Sequence, residues 1–176
     1  MKTRLLSYSL LFATSLVVFM SFAGLDTVAA VEDDRNMRWA ERVFSELPAG
    51  MGGNRLVVVH DDEPGTAKIG FCAAGTPLRL GEKTYTRGIG VNSRCVIRVS
   101  LEKPGRRFLA DVGLDRNVDN TPASVQMIVR VVKDDVFTSE VLKPIGTVHP
   151  IEVDLGGAKE FDLIVEDGGD GRGWDQ

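Results

Sequence analysis

The chain has 176 residues, of which 43% are hydrophobic, enough for one domain with a single core. Its 25 acidic residues outnumber its 21 basic ones. Nucleic-acid-binding proteins carry a basic surface that neutralises phosphates, so this balance argues against a nucleic-acid partner.

The first 30 residues have the three parts of a secretory signal peptide. Lys2 and Arg4 give a basic start, residues 5–22 are largely apolar, and small residues end the segment at Ala30. The alternative is a membrane anchor, since a spanning helix needs about 20 apolar residues. We expect cleavage after Ala30. The mature protein is then secreted, periplasmic or at the cell surface, with no membrane attachment.

Residues 31–53 contain the one helical pattern of the mature chain. Met37, Ala40, Phe44 and Leu47 recur at spacings of three and four, which places them on one helix face. Pro48 and the glycines after it end the pattern. The sequence predicts a short helical lead-in that packs on the next domain or acts as a spacer.

From residue 54 to residue 176 the apolar residues alternate with polar ones, as in strands with one buried face. Turn-forming stretches, among them Lys133-Asp134-Asp135, separate the runs. This pattern predicts an all-β, antiparallel β-sandwich. The clearest predicted strands are 95–101, 108–112, 125–131, 151–155 and 161–165, and weaker ones are 56–60, 68–72 and 78–80.

Cys72 and Cys95 are the two cysteines of the chain. In an oxidising compartment an even count suggests a disulfide. The alternative is a pair of buried free thiols that act as small apolar side chains. We predict the bond as a hypothesis and keep the alternative open.

The sequence offers no catalytic constellation. Its two histidines, His60 and His149, have no metal-type spacing to other ligands. The carboxylates lie mostly on exposed strand faces or in glycine-rich loops, whereas a glycosidase needs a carboxyl group with a raised pKa in a cleft. We therefore expect a non-catalytic protein.

The segment from Asp167 to Asp175 is rich in glycine and carboxylate. Asp167, Asp170 and Asp175 could curl around a calcium ion, which prefers oxygen ligands. The spacing differs from that of an EF-hand, and a flexible acidic loop is the alternative. Trp174 lies in the same loop, where it could offer a flat apolar face to a sugar or cover the core.

Several segments, in order, resemble one family. They are Thr84–Ser93 (TYTRGIGVNS) followed by the strand Cys95–Leu101, then Phe108–Asp115 (FLADVGLD), Ser124–Val129 (SVQMIV), Val136–Ser139 (VFTS), Ile151–Ala158 (IEVDLGGA) and Leu163–Gly171 (LIVEDGGDG). From about Thr76 to the end the chain is similar to the NPCBM carbohydrate-binding modules attached to bacterial glycoside hydrolases. The resemblance implies a galactose-binding-like jelly roll with ligand loops at one end, galactose-type or related glycans as partners, and often a structural calcium.

Two departures from the family pattern bear on the site. Asn92 stands where the family usually has a histidine, and Cys95 where a serine is usual. An amide still donates and accepts hydrogen bonds with sugar hydroxyls. The family also continues past an Asp-Gln pair like Asp175-Gln176 into a closing strand. One interpretation is a fragment of a larger glycoside hydrolase, and the other is a domain that lacks this last strand.

We expect the ligand site to use loop residues. The leading hypothesis is a secreted carbohydrate-binding module, and the alternative from another class is an extracellular interaction sandwich that binds no sugar. The candidate ligand-binding residues are Asn92, Arg94, Asp115, Asp170 and Trp174.

Overall fold

The computed structural model describes residues 54–144, 148–169 and 171. The predicted signal peptide (1–30) and helical lead-in (31–53) lie outside these residues. The regular secondary structure of the described part is all strand except for one short 3₁₀ turn at Arg116–Val118, so the all-β prediction is confirmed. Its strands are β1 (Arg55–Asp61), β2 (Lys68–Ile69), β3 (Leu78–Leu80), β4 (Lys83–Tyr85), β5 (Ile89–Gly90), β6 (Cys95–Ser100), β7 (Arg107–Val112), β8 (Val125–Val131), β9 (Asp134–Thr138), β10 (His149–Asp154) and β11 (Glu160–Asp167).

The main sheet has five strands in the order β1-β6-β11-β8-β9, all antiparallel to their neighbours. Cys95 pairs with Asp61 and Val165 at one end of this sheet. Ser100 pairs with Arg55 and Glu160 at the other end. The strand ends are therefore aligned, and the loops gather in two groups.

The second layer is the β7–β10 ribbon. Two short ribbons, β2–β5 and β3–β4, are separate two-stranded sheets, and their buried residues belong to the same hydrophobic core. Alternate side chains of β6, β7, β8 and β11 are buried and belong to one hydrophobic cluster. Phe108 of β7 meets Phe161 of β11 across the layers, with ring centroids 5.3 Å apart and planes tilted by 56°. The period-two pattern of the sequence thus becomes a core shared by both layers.

The two groups of loops define two ends of the sandwich. We call one the loop end, formed by residues 61–67, 91–94, 113–124 and 168–169. We call the other the turn end, formed by residues 54, 101–106, 132–133 and 155–159. At the turn end, Asn54 Oδ1 accepts the backbone N–H of Glu102 at 2.6 Å. The described chain therefore starts at the turn end.

One predicted break was wrong. The sequence placed a turn at Lys133-Asp134-Asp135, but the turn is Val132-Lys133, and Asp134 already belongs to β9. β9 is an edge strand whose side chains are mostly exposed, so acidic residues fit it. Arg130 of β8 donates two hydrogen bonds to Asp135, at 2.5 and 3.1 Å.

Cys72 and Cys95 are both buried and both free in the structure, which does not contain the predicted disulfide. Cys72 is completely buried, with Sγ 3.0 Å from the Thr76 hydroxyl. Burial, followed by the charge of Asp61, raises the pKa of Cys95 to about 12. Each thiol fills core space as a small apolar group. In the described ranges no helix is long and apolar enough to cross a membrane.

Candidate functional site

The loop end contains every buried polar or charged side chain in the described part of the chain: Asn92, Ser93, Asp115 and Ser124. Burying a polar group costs free energy unless it gains hydrogen bonds. A concentration of such groups at one end therefore marks the part of the fold that polar side chains organise. The turn end has none of them.

Among the buried polar residues, Asn92 has the side chain best suited to a sugar, because its amide can both donate and accept hydrogen bonds. It follows β5, is 5% exposed, and donates from Nδ2 to Glu63 Oε2 at 2.7 Å. Its Oδ1 is buried and has no hydrogen-bond partner. Two hydrogen bonds fix the backbone of Glu63: its N–H donates to Asp61 Oδ1 at 3.0 Å, and its carbonyl accepts the N–H of Thr66 at 3.1 Å.

Arg94 lies two residues further on and reaches the surface. Its side chain is 57% exposed, and its Nε donates to Glu166 Oε2 at 2.9 Å. The bond to Glu166, then the charges of Glu166, Asp62 and Asp167, raise the pKa of Arg94. Arg94 is thus an accessible cation among carboxylates, able to donate to a ligand oxygen.

Asp115 has an internal role. Its side chain is completely buried, Oδ2 accepts the backbone N–H of Arg79 at 2.7 Å, and Oδ1 accepts that of Asn117 at 2.9 Å. Burial raises the pKa of Asp115, and the two backbone donors act in the opposite direction. The carboxylate caps the 3₁₀ turn and fixes the loop to β3, so it is not on the surface where the ligand prediction placed it.

Asp167 organises the loop that follows β11. Its Oδ1 accepts the backbone N–H groups of Gly169 and Gly171, at 2.8 and 3.1 Å. The described residues contain no group of three or more histidine, cysteine or carboxylate side chains that could hold a metal. By themselves they do not make a calcium site. Asp170, Trp174 and Asp175 lie outside the described residues.

The structure brings Asn92, Arg94 and Asp167 to the same end of the sandwich. Sequence reasoning missed their partners, Glu63 and Glu166. The signal for Glu63 was its place in the acidic turn after β1. For Glu166 the only signal was the alternation of residues along β11. That pattern predicts an outward-facing side chain but does not predict its contact with Arg94.

The profile of the NPCBM/NEW2 domain family matches residues 41–176. The chain belongs to the NPCBM/NEW2 family. The matched region begins before Thr76, where the resemblance in the sequence starts, and includes β1 and the acidic turn. The family and its structural relatives show that the chain is a carbohydrate-binding module, as the sequence predicted.

A curated relative from Renibacterium salmoninarum is named "Putative endo-alpha-N-acetylgalactosaminidase". It is 34% identical over 104 residues, which cover 57% of this chain and 7% of the relative. The similarity therefore spans a small part of that larger protein.

Among solved structures, the CBM51 module from Clostridium perfringens GH95, in complex with methyl-galactose, is 25% identical with a TM-score of 0.58. The match covers 71% of this chain and 88% of that module. The CBM51-2 and INT domains of Clostridium perfringens ZmpB are 24% identical with a TM-score of 0.59, over 71% of this chain and 28% of theirs. The similarity to the ZmpB domains shows that the two proteins share a fold.

Proposed function

We propose that this NPCBM/NEW2 domain binds a terminal galactose-type sugar through its loop end. The observation that carries the proposal is the gathering of polar side chains there, with Asn92 bonded to Glu63 and Arg94 exposed beside Glu166. Sugar hydroxyls both donate and accept hydrogen bonds, and these groups offer both functions. The methyl-galactose complex of the CBM51 relative supports this class of ligand.

In this proposal the domain binds a glycan and catalyses no reaction. One solved relative includes the M60 catalytic domain of ZmpB together with its CBM51-1 and CBM51-2 domains. The curated relative is named as a glycosidase. We propose that the chain likewise keeps a glycoside hydrolase or a cell surface near its polysaccharide, after export and removal of residues 1–30. Secreted protein should begin at Val31 on N-terminal sequencing, and material that begins at Met1 would contradict export with cleavage.

Titration calorimetry with methyl-galactoside tests the binding proposal. A single sugar makes few contacts and association costs absorb much of their energy, so we expect a Kd from about micromolar to millimolar, or about −8 to −4 kcal/mol. A parallel glycan array covers other terminal sugars. A chain that binds no glycan on the array and no galactoside would favour the interaction-sandwich alternative.

Two exposed arginine–glutamate pairs provide a matched test of the site. Arg94 pairs with Glu166 at the loop end, and Arg107 pairs with Glu152 beside the turn end. Arg94→Gln should raise the Kd about tenfold, the equivalent of one hydrogen bond from a charged group. Arg107→Gln should leave the Kd unchanged. Equal effects of the two substitutions would exclude the Arg94 contact.

The same titration addresses the residues outside the described part. Trp174→Ala should weaken binding more than Glu152→Ala, because an indole would offer its apolar face to the sugar ring. We also propose that Asp170 and Asp175 join Asp167 to hold calcium. Calcium should then raise the Tm relative to chelator, because a ligand of the native state adds stability by mass action. Equal Tm values at millimolar calcium would favour the loop without metal.

A further inference from the structure

Phe71 and Pro77 form an exposed apolar pair next to the loop end. Phe71 is 50% exposed and is the one aromatic side chain among the exposed large hydrophobic residues of the described chain. It forms an antiparallel bridge with Pro77, which is also exposed. Residues directly opposite each other in such a bridge place their side chains on the same side. We call these two residues the Phe71–Pro77 pair.

The backbone on both sides of Phe71 is fixed. The N–H of Gly70 donates to the carbonyl of Gly88 at 2.7 Å, and the N–H of Gly90 donates to the carbonyl of Phe71 at 3.0 Å. Cys72, the next residue, is completely buried. The ring is therefore presented on an ordered backbone, and little backbone ordering would be needed when a ligand binds.

The Phe71–Pro77 pair is continuous with the loop end. Gly90, which bonds to the Phe71 carbonyl, lies two residues before Asn92. The backbone that carries Phe71 also adjoins the 113–124 segment, because Asn117 Nδ2 lies 3.8 Å from Sγ of the next residue, Cys72. An apolar ring beside polar loops matches a pyranose, which presents C–H groups on its face and hydroxyls at its edge.

We propose that the Phe71–Pro77 pair binds the second sugar of a glycan whose terminal sugar occupies the loop end. This inference rests on the proposed function and adds that the ligand is at least a disaccharide. A protein partner would need an interface of about 800 Å² on each side, far more than one ring and one proline offer. One aromatic ring beside one proline can instead contact the face of a single sugar ring.

The test compares methyl-galactoside with lactose, a galactose-terminated disaccharide, by titration calorimetry of the full mature chain. Wild-type protein should bind lactose about five- to tenfold more tightly than methyl-galactoside, the gain expected from one aromatic contact. Phe71→Ala should abolish that preference and leave the methyl-galactoside Kd unchanged. Phe71→Tyr should retain the preference. Val132→Ala is the matched control, because Val132 is exposed and apolar but lies at the turn end.

Four other results would contradict the inference, and each would point to a different explanation. Equal affinity of wild-type protein for the two sugars removes the second contact and leaves the proposed function intact. Equal weakening of both sugars by Phe71→Ala would place the ring at the terminal sugar instead. A wild-type dimer that Phe71→Ala converts to a monomer, seen by sedimentation, would assign the pair to a second copy of the chain. Absence of binding to either sugar would contradict the proposed function as well.

Discussion

The two ends of the sandwich are closed in different ways. At the turn end, backbone groups bond to backbone groups: Leu101 N to Lys159 O at 2.7 Å, Gly105 N to Ala158 O at 2.8 Å and Leu155 N to Arg106 O at 2.9 Å. At the loop end, the carboxylates of Asp61, Asp115 and Asp167 accept backbone N–H groups. The turn end also has two exposed side-chain acceptors, Asn54 and Asp154, and the loop end also has backbone bonds. The ends differ because only the loop end has a fully buried carboxylate, that of Asp115, among these acceptors in the described chain.

This difference separates residues that build the loop end from residues that are available to bind. Backbone closure tolerates many side chains, so the turn end places few demands on sequence. Closure by side chains requires a carboxylate at each position, whether or not it touches a ligand. A polar residue in a ligand-bearing loop is therefore assigned a binding role only after its internal hydrogen bonds are known.

The largest expected effect compares two aspartates that make the same local contact. Asp115 Oδ1 accepts the N–H of Asn117 at the buried loop end, and Asp154 Oδ1 accepts the N–H of Gly156 at the exposed turn end. Asp115→Ala should lower the free energy of unfolding by about 2–4 kcal/mol, because the N–H groups of Asn117 and Arg79 both lose a fully buried acceptor. Asp154→Ala should cost about 0.5–1 kcal/mol, because water replaces the carboxylate.

Chemical denaturation of both variants measures this difference, with the slope of the transition compared to confirm that each native state is intact. Similar losses for the two aspartates would break the distinction between the ends.

The next effect concerns the approach of Gly168 to Ser124. The N–H of Gly168 donates to the carbonyl of Ser124 at 2.8 Å, and a Cβ on Gly168 would lie 2.8 Å from the backbone carbon of Ser124. Gly168→Ala should therefore cost about 2–3 kcal/mol through overpacking. Gly157 is the control at the turn end, because it has a φ of +82° and open space around its Cβ position. Gly157→Ala should cost about 1–2 kcal/mol from backbone strain alone, and a thermal melt in which it is the more damaging change would contradict this assignment.

A smaller effect of opposite sign is expected in the turn between β8 and β9. Val132 has a φ of +59°, in the left-handed region that β-branched residues rarely adopt, and its side chain is 83% exposed. At the loop end the corresponding conformation belongs to Asn120, with a φ of +75°. Val132→Asn should raise the free energy of unfolding by about 1 kcal/mol, because asparagine tolerates this region. A lower Tm for the variant would show that the valine makes a contact that the strain argument leaves out.

The last prediction is that reductant has no effect on the Tm. Cys72 and Cys95 are free, and the raised pKa of Cys95, about 12, keeps its thiol protonated at neutral pH. Reductant should therefore leave the Tm unchanged. A disulfide between them would instead contribute about 3 kcal/mol, and its reduction would lower the Tm by several degrees. Thiol titration of the denatured, unreduced protein should find two thiols.

The fold could be predicted further from the sequence than the site could. Alternation located β6, β7, β8, β10 and β11 to within a few residues, because each has one buried and one wetter face. β4 and β5 have three and two residues, too few for a period to be recognised. The edge strand β9 has mostly exposed side chains, so its acidic start looked like a turn.

The site depended on information that spacing does not contain. Asn92 was singled out because it lies in the family motif Thr84–Ser93, whereas Arg94 follows that motif and was chosen for its place in a loop. Both lie at the loop end, and their role in sugar binding stays a prediction. The buried Asp115 accepts from Arg79, 36 positions away, and Asn92 donates to Glu63, 29 positions away. Such contacts follow from the packing of loops on the sheet, and alternation along a single strand cannot reveal them.

The direction of β1 has a consequence for how the molecule can be attached. The described chain starts at Asn54 on the turn end, and its last strand, β11, ends at the loop end. A linker, tag or surface fused before Asn54 would therefore hold the protein with its loops directed away from the support. The same group fused on the carboxyl-terminal side would follow β11, which ends at the loop end, where Asn92 and Arg94 lie. Biosensor and array experiments should accordingly immobilise the chain through its amino-terminal side.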